Sequence, residues 1–137
     1  MSTPFGPQLI GETDKTLNAL LRRFLEPTGL TEPQWVTLRL AGQLGGEVDD
    51  KGLVAALADR AQFTDAGALV GELVARGLLE GGQLSSSGRE LTSTVTAAIA
   101  AGTAPIWENL PETDTESTAR ILNEIITRGR RVLATPN

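Results

Sequence analysis

The sequence contains no cysteine and no histidine. Without cysteine, disulfides, thiol sensors and thiolate metal sites are excluded. Without histidine, the commonest metal ligand and the commonest general base are both missing. Most zinc and catalytic-triad chemistry is therefore ruled out at once. No apolar run reaches the roughly 18–20 residues that a membrane span needs, so no membrane partner is expected. Met1 to Pro7 lacks a basic region followed by an apolar core, which predicts no secretory signal and a cytoplasmic protein. Basic residues are outnumbered, 12 Lys and Arg against 17 Asp and Glu, for a net charge of −5. That balance favours solubility and argues against tight binding to a polyanion.

What is present is ordinary for one globular domain: 137 residues, 40% hydrophobic and 21% charged. Such a chain is long enough to bury its own core. Residues 1–8 hold two prolines and a glycine and predict a loose arm. A first helix is expected from Thr13 to Glu26, with Leu17, Leu20, Leu21, Phe24 and Leu25 on one stripe. Pro27 and Gly29 stop it. Thr31 and Gln34 form a capping box, with Pro33 in the first turn, that launches a second helix through Trp35 and Leu38 to about Gly42. After a turn at Gly45 and Gly46, Asp49 and Asp50 cap a third helix from about Lys51 to Ala61.

Thr64 or Asp65 then caps a fourth helix, Ala66 to Ala75, whose inward stripe reads Ala66, Leu69, Val70, Leu73 and Val74. Gly77 ends it where a left-handed residue is wanted. Leu78 to Leu84 reads as two short strands around Gly81 and Gly82. Ser85 or Ser87 caps a long helix, and Ser87 with Glu90 offers a second capping box. That helix carries Leu91, Val95 and Ile99 and is expected to bend around Gly102 to Pro105, ahead of Ile106, Trp107 and Leu110. Thr113 with Glu116 forms a third box before a last helix carrying Ile121, Leu122, Ile125, Ile126 and Val132. No internal repeat or low-complexity segment interrupts this order.

Three stretches together resemble the MarR (multiple antibiotic resistance regulator) family. Leu30 to Leu38 is similar to the family's LTxxQWxVL. Leu69 to Leu79 is similar to LVxxLxxxGLV at the end of its recognition helix, and Leu84 to Leu91 to the LTxxGRxL that leaves its wing. The closing Leu110 to Ile126 resembles the family's last helix. The resemblance implies a mainly α fold with a minimal β-hairpin wing, in which a winged helix-turn-helix lobe (about 30–87) joins a helical dimerisation stem (about 9–29 and 88–134) in one domain, 1–137. It implies a homodimeric transcriptional regulator of double-stranded DNA, with a small aromatic ligand as effector, and neither an enzyme nor a cofactor-bearing protein. The implied DNA-binding residues are Thr64, Asp65, Gly67, Ala68, Glu72 and Arg76 on the recognition helix. Lys51, Arg60 and, at the wing, Gln83 would make backbone contacts. The implied dimer contacts are Leu17, Leu21, Phe24, Trp107, Ile121, Leu122, Ile125 and Ile126.

The sequence departs from that pattern where DNA would be touched. The wing has Glu80, Gly81, Gly82 and Gln83 in place of the family's Asp-x-Arg element. The outward face of the fourth helix carries one cation, Arg76. Residues 49–80 hold three basic side chains (Lys51, Arg60, Arg76) and six acidic ones (Asp49, Asp50, Asp59, Asp65, Glu72, Glu80). Phosphate neutralisation supplies much of protein–DNA affinity, and base edges are read mainly by Arg, Lys, Asn and Gln. An alternative therefore stands beside the first: a winged-helix module that has lost DNA binding and binds a protein or small ligand.

Blander readings hold elsewhere. Trp35 and Trp107 sit on apolar faces and read as packing, with a pocket wall as the sharper reading. Arg128, Arg130 and Arg131 suit a helix C-terminus through its dipole, and a phosphate contact is the alternative. Asp49 and Asp50 read as a cap, since a metal would need more oxygen ligands. Ser85 to Ser87 has no base to activate a nucleophile. The period of the first and last helices does not say whether their stripes close a core within one chain or between two.

Overall fold

A computed structural model describes residues 2–136. It is mainly helical, with one two-stranded antiparallel hairpin. Helix α1 spans Pro7–Leu25, α2 Glu32–Leu44, α3 Asp50–Arg60 and α4 Ala66–Ala75; strands β1 (Leu79–Glu80) and β2 (Gln83–Leu84) follow, then α5 (Ser86–Trp107) and α6 (Glu112–Ala134). No helix is long and apolar enough among the described residues to cross a membrane. By internal contacts the chain divides into two compact units, residues 1–101 and 102–137.

The core of the first unit gathers Leu25 from α1, Trp35, Leu38 and Ala41 from α2, Leu53 and Leu57 from α3, Val70 and Leu73 from α4, Leu79 from β1 and Val95 from α5. Each is nearly or wholly withdrawn from solvent, and a buried leucine contributes about 1.5–3 kcal/mol relative to an exposed one. Trp35 fills the centre as its place on the apolar face predicts, whereas Trp107 is 53% exposed.

Local chemistry explains most boundaries. The Thr31 box forms in full: Thr31 Oγ1 accepts from the Gln34 amide at 3.3 Å and Gln34 Oε1 accepts from the Thr31 amide at 3.0 Å. Asp49 caps α3, its Oδ1 accepting from the Gly52 amide at 2.9 Å. Helix α2 runs past Gly42 to Leu44, because the left-handed residue that stops it is Gly45. The hairpin pairs Leu79 with Leu84 and Glu80 with Gln83. Gly81 and Gly82 both have positive φ, as the tightest turn between right-twisted strands requires.

Several expected ends fall elsewhere. Helix α1 begins at Pro7, not Thr13, and takes in part of the expected arm. Proline's fixed φ and missing N–H suit a helix's first turn, and Thr13 and Thr16 lie inside, bonding back to the Leu9 and Glu12 carbonyls. Ser85, not Ser87, caps α5, its Oγ accepting from the Gly88 amide at 3.0 Å, so the expected box of Ser87 and Glu90 lies inside the helix. Likewise Thr113 falls within α6, which starts at Glu112 after Pro111 with no side-chain cap. Helix α5 continues through Pro105 to Trp107.

Candidate nucleic-acid interface

Helices α3 and α4 are joined by residues 61–65. Gln62 takes a left-handed conformation there, and its Nε2 donates to the Asp59 carbonyl at 2.6 Å. The Phe63 amide donates to the Leu57 carbonyl, and its ring packs against the core. This turn sets α4 against α3 with Ala66, Val70 and Leu73 buried and Leu69 half-buried. Val74 departs from the expected stripe: it is 42% exposed. In a ten-residue helix Leu73 already points straight into the core, and Val74, about 100° further round, does not.

The outer face carries the expected residues, all exposed: Asp65, Gly67, Ala68, Glu72 and Arg76, with Thr64 just before the helix. A Cβ added at Gly67 or Gly71 would meet nothing within 4 Å. Asp65 stands at the capping position, yet its side chain makes no capping bond. Glu72 accepts from Gln34 Nε2 at 3.0 Å. The lone cation of this face is also engaged: Arg76 Nη2 donates to the Thr28 carbonyl at 3.2 Å. Lys51 and Arg60 are exposed on α3, and neither has a partner among the described residues.

Between the two helices runs an open groove of about 430 Å³, lined by Asp50, Lys51, Val54, Gly67, Val70, Gly71 and Val74. Beside it the hairpin tip is folded back. The Gly82 amide donates to Asp50 Oδ1 at 2.7 Å. A Cβ at Gly82 would collide with the carbonyls of Val48 and Asp49. Only glycine fits so close a backbone approach. Gln83 is exposed, but its side chain lies over Gly46, where a Cβ would come within 2.8 Å of it.

The expected dimer contacts separate into two groups. Leu17, Leu21 and Phe24 of α1 are half-buried, and Leu21 packs against the core. Ile121, Leu122, Ile125 and Ile126 of α6 are all exposed, as is Trp107, whose Nε1 donates to Thr103 Oγ1 at 3.2 Å. No residue of α6 is buried. Among the described residues no three acidic side chains converge as a metal site would require.

Four anchoring contacts were not foreseen from the sequence: Thr28 under Arg76, Gln34 beside Glu72, Asp50 at Gly82, and Arg89, which donates to the Leu84 carbonyl and Ser86 Oγ. Gln34 and Asp50 stand out in the sequence as capping residues and Arg89 as part of the LTxxGRxL stretch, but none of these signals names the distant partner; Thr28 carries none. No family model matches the chain, and neither a curated protein nor a solved structure matches it.

Proposed function

We propose that the protein is a homodimeric winged-helix regulator of the MarR type that binds double-stranded DNA weakly, through phosphates more than bases. One observation carries this reading: α3 and α4 pack across a short turn and are followed at once by a tight hairpin. That is the order a helix-turn-helix with a wing requires, with α4 as the helix presented to the major groove. Lys51 and Arg60 are the cations free to meet phosphate. Gly67, Ala68 and Gly71 make α4 slim enough to approach DNA closely while offering no donor to base edges. The exposed stripe of α6 supports a dimer. No covalent chemistry belongs to this reading; regulation would be a shift between lobe arrangements that do and do not fit DNA.

Fluorescence anisotropy on duplex DNA across a salt series tests it. Two phosphate contacts per lobe give a log–log slope of about −3.6 for the dimer. Absence of binding at low salt favours the second reading, a winged-helix module that binds a protein or small ligand. The contacts that favour this reading are Arg76 on the Thr28 carbonyl and the hairpin tip on Asp50, which keep both expected DNA probes against the chain itself.

A further inference from the structure

Helix α6 is 23 residues long and buries none of them, yet it carries Ile121, Leu122, Ile125, Ile126, Val132 and Leu133, between 37% and 72% exposed. Within that stripe Thr118, Leu122, Ile125, Gly129 and Val132 recur at alternating spacings of four and three. This is the 3.5-residue repeat by which two helices pack along a seam. Gly129 sits in the seam and has nothing within 4 Å of a built Cβ, so a second backbone can approach closely there.

Charge along the helix is strongly one-sided. Glu112, Asp114 and Glu116 precede any base, and Arg128, Arg130 and Arg131 follow every acid. Arg128 bonds Glu124 at 3.0 Å, an exposed pair one turn apart of the kind that contributes little. The guanidinium groups of Arg130 and Arg131 have no partner among the described residues. At 100° per residue, Asp114 and Arg128 fall on one side of the seam and Glu112 and Arg130 on the other, while Glu116 and Arg131 lie nearly opposite it.

We infer that α6 packs antiparallel against α6 of a second copy, with the two-fold axis close to Leu122. In a parallel pair each acidic end would face its own duplicate, and so would each basic end. Reversal of one helix sets Asp114 on the same side as Arg128 of the second copy, and Glu112 on the same side as its Arg130. Both pairings have their midpoint at residue 121, next to Leu122, so both flanks call for the same register. The occupant is thus a second copy rather than another helix, because one helix carries both halves of the complement. The inference rests on the dimer reading above and adds orientation and register to it.

The absence of native cysteine makes the test direct. Thr115→Cys and Gly129→Cys are made in separate full-length chains, one lengthened by a tag so that mixed products differ in mass. Both positions face the seam and are exposed. The chains are mixed, sedimented and oxidised. A dimer that cross-links mainly between Cys at 115 and Cys at 129 is the expected result. Self-linked Thr115→Cys and self-linked Gly129→Cys products mean a parallel pair and overturn the inference. A sedimenting dimer with no cross-link overturns it too, while leaving the dimer reading intact. A monomer at micromolar concentration overturns both. As a second readout, Glu replacing Arg128, Arg130 and Arg131 together weakens dimerisation at least tenfold at low salt, and the difference shrinks at 1 M salt as the charges are screened. An unchanged dissociation constant at low salt counts against the pairing.

Discussion

The amide of Gly82, at the hairpin tip, donates to the carboxylate of Asp50, the first residue of α3, across 32 positions of sequence. The bond fixes a two-residue turn to the start of a helix and leaves the tip no reach of its own. Asp50→Ala removes the acceptor and costs about 1 kcal/mol. Gly82→Ala adds a Cβ where φ is +81° and two carbonyls crowd it, and costs about 1–3 kcal/mol. Urea denaturation measures both. Hydrogen exchange at the Gly82 amide distinguishes them, since Asp50→Ala speeds exchange at the tip more than it lowers overall stability.

The Arg76 guanidinium is held by the Thr28 carbonyl, whereas the Lys51 and Arg60 side chains have no partner among the described residues. Arg76→Ala is therefore expected to leave the salt dependence of DNA binding nearly unchanged. Lys51→Ala and Arg60→Ala should each flatten the slope by about 1.8 for a dimer, one phosphate per lobe. Anisotropy titrations of the three variants check this. A slope that falls for Arg76→Ala alone would place the contact elsewhere.

Open space around Gly67 and Gly71 allows a gain-of-function experiment. A Cβ at Gly71 meets nothing within 4 Å, so Gly71→Lys is accommodated at its first side-chain atom, and replacing a helical glycine should raise stability by about 0.5–1 kcal/mol. If α4 faces DNA, the new cation also tightens binding and steepens the salt slope. Greater stability with no change in DNA affinity would mean that this face does not meet the duplex.

Leu73 and Val74 are neighbours with opposite fates, one wholly buried and one 42% exposed. Leu73→Ala should cost about 2–5 kcal/mol through lost burial and a residual cavity. Val74→Ala should cost under about 0.5 kcal/mol. Equal losses in thermal denaturation would mean that Val74 is covered in solution.

Features governed by neighbours in sequence were legible beforehand. The Thr31 and Gln34 box, the Asp49 cap, the Gly81 and Gly82 turn and the inward face of α4 at Ala66, Val70 and Leu73 depend on chemistry within a few residues. The start of α1 was misread because proline both opens helices and breaks them, and only Leu9 and Glu12 accepting from later threonines decide between the two. Thr113 and Glu116 have the spacing of a box, but with Pro111 at the capping position the helix begins two residues sooner. The bonds that hold the candidate interface were not legible at all. Arg76 to Thr28 spans 48 positions, and no local pattern encodes which carbonyl a guanidinium will find. The stripe of α6 was visible as apolar, but periodicity carries no information on whether the covering surface belongs to the same chain.

The placement of the two tryptophans gives the molecule a pair of built-in optical reporters. Tyrosine is absent from the sequence, so near-ultraviolet emission comes from Trp35, sealed in the first unit's core, and Trp107, open to water in the second. Unfolding must redden the first signal; self-association, where it covers Trp107, must turn the second toward the blue. Dilution and denaturant should therefore move the spectrum by separate routes, and a Trp107→Phe chain would silence one while keeping the other.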